Sequence, residues 1–416
     1  MSGTASEDEL RFLHTADWHL GHSLNGWARD GEHRVFFERL ARIIEEEQVD
    51  VLLVSGDIYD GINPSGESQK ILFDALAEFR RRRPDLLIIM TSGNHDPAGR
   101  LEAPEAILSG QGTKVIGTVR RQDEDVDLQR HIIEVPGPDG APAAVVMAVP
   151  FLRAADMPGL SFADSDPGRS PIVDAARSLH RQMAAAARAA AGDLPIIAMG
   201  HLTCIGGEES EGAERRILIG GEHALPIDVF DEDIAYVALG HLHGPQSLDG
   251  GRIRYSGSCF PLSAAEIRYR HGVTLIDLAD GNVEWRHVEI PRPAEFYRLP
   301  ATGNMSLDEF RVALDALDLD PETPADLQPF VYGTLSADGP ASVILAEAEA
   351  VLSGYPVRTA GLKVQRDVAN DAPVVKVASL QDTTPEKLFI EAFRKINDTD
   401  PEARHLAAFR DAAAEV

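Results

Sequence analysis

Short apolar runs alternate with amphipathic stretches through the first part of the chain. Arg11–Ala16 reads as a strand. His33–Gln48 places Val35, Phe36, Leu40, Ile43 and Ile44 at helical spacing. Val49–Ser55 and Leu86–Thr91 are apolar runs of the kind that form strands buried on both faces, with a helical stretch, Glu67–Arg83, between them. Strand–helix–strand–helix–strand predicts an α/β fold with helices covering the sheet. In such a fold, ligands collect beyond the carboxyl ends of the strands.

Further along, residues 131–151 predict two strands around the turn Pro136–Gly140. Pro171–Ala191 is Ala-rich and helical, and Leu194–Met199, Ile234–Leu239, Ile253–Ser256 and Val273–Leu278 supply more strands. These elements fit a three- or four-layer sandwich on two sheets. Pro291, Pro293 and Pro300 then mark a linker. Leu307–Leu319 (helix), Pro329–Leu335 (strand), Ser342–Leu352 (helix) and Arg358–Arg366 (strand) predict a separate α/β module. Thr384 and Pro385 start a helix whose apolar face is Leu388, Phe389, Ala392, Phe393 and Ile396, and Asp400-Pro401 starts a second with Leu406 and Phe409. The expected divisions are 1–288, 289–378 and 379–416.

Five short pieces carry metal-ligand types directly after apolar strands. They are Asp17-Trp18-His19, Gly56-Asp57-Ile58-Tyr59-Asp60, Gly93-Asn94-His95-Asp96, Gly200-His201 and Gly240-His241-Leu242-His243. Each alone is a common turn sequence; Asp-x-His and Gly-Asp are the weakest. Two histidines at i and i+2 after a buried strand are costly unless they have partners. All five in order can gather seven or eight N and O donors at one sheet edge, the set a two-metal phosphoester hydrolase needs.

The chain has 416 residues, 44% hydrophobic and 25% charged, ordinary for a globular protein. No apolar run reaches membrane-spanning length, and Met1–Leu10 is polar and acidic, unlike a secretory signal. With only Cys204 and Cys259, a disulfide framework is excluded and a cytoplasmic location is expected. Cys204, three residues after His201, reads as a small core residue rather than a ligand. The net charge of −28 argues against nucleic acid as a partner, because phosphate backbones need cations. Bound divalent ions would reverse that balance locally.

These pieces resemble the calcineurin-like metallophosphoesterases and, within them, the SbcD family of bacterial nucleases. The family opening is mirrored by Leu13-His14-Thr15-Ala16-Asp17-Trp18-His19-Leu20-Gly21. Val149–Arg153, Gly200–Thr203, Ala238–His241, Tyr255–Ser258 and Pro261–Ser263 match as well. The resemblance implies a β-sandwich flanked by helices, a small α/β capping domain and C-terminal helices. It implies one ion held by Asp17, His19, Asp57 and His243 and another by Asp57, Asn94, His201 and His241, with Asp57 bridging. A carboxylate can span cations about 3.5–4 Å apart, and such a pair makes hydroxide from water near neutral pH. Mn²⁺ is the ion implied, with Mg²⁺ and Fe²⁺ also suited. His95 would face the scissile phosphate rather than ligate. We expect the Asp60 carboxylate to orient His95 as a dyad, because it follows Asp57 in the same loop.

The resemblance further implies 3′→5′ exonuclease and endonuclease action on DNA ends, hairpins and single strands. It implies an SbcC-type coiled-coil ATPase partner in a two-plus-two assembly, hence a homodimer of this chain. The helix face Leu388–Ile396 would dock on that ATPase. No Gly-x-x-x-x-Gly-Lys-Ser/Thr loop occurs, so ATP hydrolysis by that route is not expected of this chain. A phosphatase or cyclic-nucleotide phosphodiesterase is the alternative on this scaffold. Against it, Gly61 stands where phosphatases of this fold carry an Arg. A non-catalytic scaffold is disfavoured because every expected ligand is present. His14 is expected to be a bonded core residue. His22 and His33 are nearby but secondary, and His131, His180, His223, His271, His287 and His405 are structural or superficial. Arg80–Arg83 reads as a solvated helix end.

Overall fold

A computed structural model describes residues 9–122, 125–153, 156, 170–209, 224–279 and 281–365, and then 390, 393, 394, 399, 401, 405 and 406. Two six-stranded sheets stack face to face. The first runs Asn282–Glu289, Gly272–Ala279, Leu10–Thr15, Val51–Ser55, Leu87–Thr91, Thr113–Ile116. Its last four strands are parallel, with Gly272–Ala279 antiparallel to Leu10–Thr15. The second runs Gln246–Leu248, Ile253–Tyr255, Tyr236–Gly240, Ile196–His201, Pro142–Ala148, Ile132–Pro136.

The apolar runs look continuous because each strand is buried on both faces. From Val51–Ser55, Leu52 and Val54 face Phe36, Leu40, Ile44 and Phe79 of helices Asp30–Glu46 and Gly66–Arg82. Val51 and Leu53 face the other way, into the inter-sheet core with Val146, Ile197, Met199 and Ala238. Helix Pro171–Ala191 covers the outside of the second sheet with Leu179, Met183 and Ala187. The result is the four-layer form of the expected sandwich. His14 is a bonded core residue: Nδ1 meets Tyr236 Oη and Nε2 the Leu239 carbonyl, each at 3.1 Å, so it ties one sheet to the other.

Four strands of the larger sheets escaped sequence reading. Asn282–Glu289 is a half-polar edge strand recognised only by its pairing with Gly272–Ala279. Thr113–Ile116 and Gln246–Leu248 are too short to show a period, and Phe296–Leu299 lies among the prolines expected to be a linker. The module after the prolines has a parallel sheet, Phe296–Leu299, Phe330–Ser336, Arg358–Gln365. Helices Leu307–Asp315 and Ala341–Leu352 cover it around Phe310, Leu314, Val331, Leu335 and Leu352. Ser306 and Glu309 form a capping box on the first of these helices. Sandwich and module belong to one unit, 1–365. Residues 366–416 form another, in which the Phe393 and His405 rings lie 4.8 Å apart. Leu388, Phe389, Ala392, Ile396 and Phe409 of the expected C-terminal helices lie outside the described residues, as does His223.

Candidate metal centre

Strands ending at Thr15, Ser55, Thr91, His201 and Gly240 bring the five pieces with candidate ligands to the same edge of the sandwich, four on the loops that follow and His201 as the last residue of its strand. The loops turn sharply. Asp17, His19, Asp57 and His241 all have positive φ, from 48° to 99°, which side-chain-bearing residues avoid. Such conformations cost roughly 1–3 kcal/mol each and persist where surrounding bonds over-determine them. Here Asp17 N–H donates to the Gly56 carbonyl at 3.0 Å and His19 N–H to the Asp57 carbonyl at 2.9 Å. His241 N–H donates to Asp17 Oδ1 at 3.0 Å. The glycines answer to close approach. A Cβ on Gly93 would lie 2.1 Å from Asp57 Oδ1, and one on Gly240 would lie 1.9 Å from the Ser55 carbonyl oxygen.

Asp57 is central. Its Oδ2 lies 3.5 Å from His19 Nε2 on one side and 3.4 Å from His201 Nε2 on the other, while Oδ1 accepts from His95 N–H at 2.9 Å. Asn94 Oδ1 is 2.9 Å from His201 Nε2. The rings of His201 and His241 are 5.4 Å apart, and those of His19 and His243 are 5.2 Å apart. Donor atoms of Asp17, His19 and His243, of Asp17, Asp57 and His201, and of His19, Asp57 and His95 gather within 4.8 Å in each set.

The histidines are presented by their outer nitrogens. Nδ1 of His19 meets Asp60 Oδ1 at 3.1 Å, Nδ1 of His201 donates to the Ser55 carbonyl at 2.9 Å, and Nδ1 of His243 meets Glu266 Oε1 at 3.0 Å. This leaves Nε2 facing the cluster, as in metal-ligating histidines. His19 Nε2 is buried and has no hydrogen-bond partner. A buried nitrogen lone pair beside two carboxylates fits a divalent cation, and the mixed imidazole, carboxylate and amide donors suit a first-row metal.

Electrostatics agree. Burial pushes the Asp57 carboxyl up, but His201, His19 and His95 pull it well below the usual range. Burial lowers His201, yet Asp57 and Asp17 prevail and raise it to about 9. Burial and the neighbouring His201 hold His241 well below its ordinary value. Ligation uses neutral imidazole, so a cation at Asp57 competes with the proton on His201.

One expectation is corrected. The Asp60 carboxylate engages His19, whereas His95 Nδ1 donates to the Asp60 backbone carbonyl at 2.9 Å. Asp60 therefore fixes two rings, His95 by its main chain. Sequence reading also left Asp96 and Glu266 without roles. Buried Asp96 accepts from the N–H groups of Gly93, Ile58 and Tyr59 at 2.8–3.1 Å, stapling the Asp57 loop to the Asn94 loop. Its place in Gly93-Asn94-His95-Asp96 could have signalled this; Glu266, in a short turn without a motif, gave no signal.

Among other candidates, Cys204 is buried and free, with burial pushing its thiol up to about 12, so no thiolate is available. His33 is a core residue whose Nε2 donates to the Trp18 carbonyl at 2.6 Å, holding the turn between Asp17 and His19. His22 is half-buried at the end of that turn, its N–H donating to the His19 carbonyl at 2.9 Å. Arg81 and Arg82 pair with Glu78, and Arg83 with Asp50, as a solvated helix end should.

Residues 10–245 match the calcineurin-like phosphoesterase family. The chain is 53% identical over 384 residues to the D component of the SbcCD nuclease of Rhodobacter capsulatus, spanning 92% of this chain and 94% of that one. The component of the same name in Bacillus subtilis is 31% identical, over 75% of this chain and 78% of that one. That of Escherichia coli K12 is 32% identical, over 66% of each.

Proposed function

This chain belongs to the calcineurin-like phosphoesterase family, and from that membership we infer a metal-dependent nuclease, the SbcD-type component of an SbcCD-type complex, that hydrolyses phosphodiester bonds in DNA. The observation that carries this is Asp57, placed between His19 and His201 with one oxygen near both. Asp17, His19, Asp57 and His243 would hold one divalent ion, and Asp57, Asn94, His201 and His241 the other, with Mn²⁺ as the expected metal. When bound, two such ions polarise the phosphate and make water nucleophilic near neutral pH.

The protein groups do the rest. The Asp96 staple and the positive-φ turns fix the donors before substrate arrives, which lowers the cost of organising the transition state. His95, half-exposed and held through Nδ1, can direct Nε2 at the scissile phosphate. Protonated, it stabilises the developing charge, and the Nε2 proton passes to the departing sugar oxygen as the P–O bond breaks. Contacts of this kind address the backbone, so cleavage is expected to be independent of base sequence. By kinship the substrates are DNA ends, hairpins and single strands, cut as a 3′→5′ exonuclease and as an endonuclease. The partner is an SbcC-type ATPase in a two-plus-two assembly, docked through the segment containing Leu388 and Phe393.

The decisive experiment compares Mn²⁺-dependent degradation of linear and hairpin DNA by wild type and His95→Ala, with and without the ATPase partner. His95→Ala should lower the rate about 10²–10⁴-fold while keeping two ions per chain. Hydrolysis of p-nitrophenyl phosphate without cleavage of DNA would instead establish a phosphatase. Charged substitutions at Leu388 and Phe393 should abolish co-purification with the ATPase; unchanged association would end the docking assignment.

A further inference from the structure

Glu266 is fully buried beside the centre, in the turn Ala264–Arg268, and its carboxylate is saturated with donors. Oε1 faces His243 Nδ1 at 3.0 Å and accepts from Ser263 Oγ at 3.2 Å. Oε2 accepts from Leu262 N–H at 2.9 Å and Ser258 Oγ at 3.4 Å. Behind it, His271 bridges Ser258 and the turn: Nδ1 lies 3.0 Å from the Ser258 carbonyl and Nε2 3.2 Å from the Glu266 carbonyl. Every donor converging on this carboxylate is itself buried or half-buried, so losing one leaves a poorly solvated partner unsatisfied.

From this geometry we propose that Glu266 is a positioning residue for one of the two cation sites, fixing His243 in the tautomer that offers Nε2 as a ligand. The inference rests on the two-ion reading of the centre. An acceptor at Nδ1 requires the proton to sit there, and a neutral imidazole with Nδ1–H carries its lone pair on Nε2. The carboxylate also makes the ring a stronger donor and holds its plane. The Asn94–His201 half of the centre does not depend on Glu266, because His201 is oriented by the Ser55 carbonyl.

Glu266→Gln is a sharp probe because the side chain keeps its size but cannot keep its bonds. With the amide oxygen toward His243, the NH₂ group opposes Leu262 N–H. With the oxygen toward Leu262, the NH₂ donates to Nδ1 and drives the His243 proton onto Nε2, where it blocks ligation. The first arrangement sets donor against donor, and the second satisfies both bonds only by giving up the Nε2 lone pair of His243.

The test uses the full chain in two measurements. Mn²⁺ titration of wild type, Glu266→Gln and Glu266→Ala should show two ions in wild type. In both variants one ion should bind about 10- to 100-fold more weakly, with the other little changed. Imidazole ¹⁵N spectra of the metal-free protein should show a protonated Nδ1 on His243 in wild type and a different protonation pattern in Glu266→Gln. Two ions of unaltered affinity in folded Glu266→Gln would overturn the assignment, as would wild-type His243 protonated on Nε2 alone. Wild type that binds no pair of ions, yet shows the Nδ1 proton, would defeat the two-ion reading while leaving the orientation of His243 by Glu266 standing. If neither variant folds, the wild-type tautomer still decides.

Discussion

Asp60 Oδ1 stands 3.1 Å from Nδ1 of His19, so a carboxylate at the rim of the centre orients the proposed ligand His19 rather than His95. Burial pushes the Asp60 carboxyl up, but His19, His22 and His95 together pull it below its ordinary value, so it is charged at neutral pH. Asp60→Ala removes both charge and acceptor. It should weaken one of two ions about 10- to 100-fold; Asp60→Asn, which keeps an acceptor, should do less. Calorimetric Mn²⁺ titration checks this. Full metal affinity with slowed turnover would return the carboxylate to His95.

Gly240 leaves no room for a side chain. An added Cβ would meet the Ser55 carbonyl oxygen at 1.9 Å and His201 Nδ1 at 2.9 Å. The carbonyl is backbone and cannot swing aside, and it is also the acceptor that orients His201. Gly240→Ala should therefore cost at least about 1–3 kcal/mol of stability and disturb metal binding as well. Gly66, at the start of helix Gly66–Arg82, meets nothing within 4 Å. Gly66→Ala should be neutral or stabilise by up to about 1 kcal/mol. Urea denaturation of both variants separates the two cases; equal effects would mean that packing at Gly240 is looser than the distances imply.

Much of this arrangement was legible because the chemistry lies close to the strand ends. Asp17, Asp57, Asn94, His201 and His241 follow apolar runs by one to three residues, so finding the strands located the candidate ligands. Pairing between distant loops was not legible. The spacing of Asp57 and Asp60 places both in one loop but says nothing of which way a carboxylate turns; that depends on His19 arriving from a different strand. Glu266 lies 23 residues from His243 and joins it only through the fold. Edge strand Asn282–Glu289 is defined by its neighbour rather than by its own half-polar sequence.

Acid should loosen the sandwich through His14. Burial, then the nearby Arg254 charge, lower its folded pKa from 6.5 to about 3. The folded ring is neutral, donating from Nε2 to the Leu239 carbonyl and accepting from Tyr236 at Nδ1. Below pH 6.5 the unfolded chain binds a proton that the folded chain refuses. The contribution of His14 is thus intact above pH 6.5 and is lost as pH falls towards 3, by about 1.4 kcal/mol per unit. His14→Gln should be less stable at pH 7.5 but lose stability less steeply between pH 6 and 4, by about one proton. Urea titrations across that range measure the slope, and identical slopes would exclude His14 as the source.

Glu32 joins the sandwich to the module that follows it. Its carboxylate takes Arg29 in a two-pronged grip, Nε at 2.6 Å and Nη2 at 2.5 Å, and also accepts from Arg358 Nη1 at 2.9 Å. All three side chains are fully buried. The guanidiniums lie over aromatic rings, Arg29 at 4.5 Å from Phe260 and Arg358 at 3.8 Å from Phe330, so the ion triad is walled by apolar surface. One carboxylate between two cations cannot be removed without leaving like charges facing each other out of water. Glu32→Ala should cost about 3–5 kcal/mol. Simultaneous replacement of all three by apolar residues of similar volume should cost far less, because the desolvation of the charges disappears with them. Hydrogen exchange should also show strand Arg358–Gln365 losing protection in Glu32→Ala before the strands of the sandwich do. Uniform loss across both would mean that the triad supports the whole unit rather than the attachment of the module.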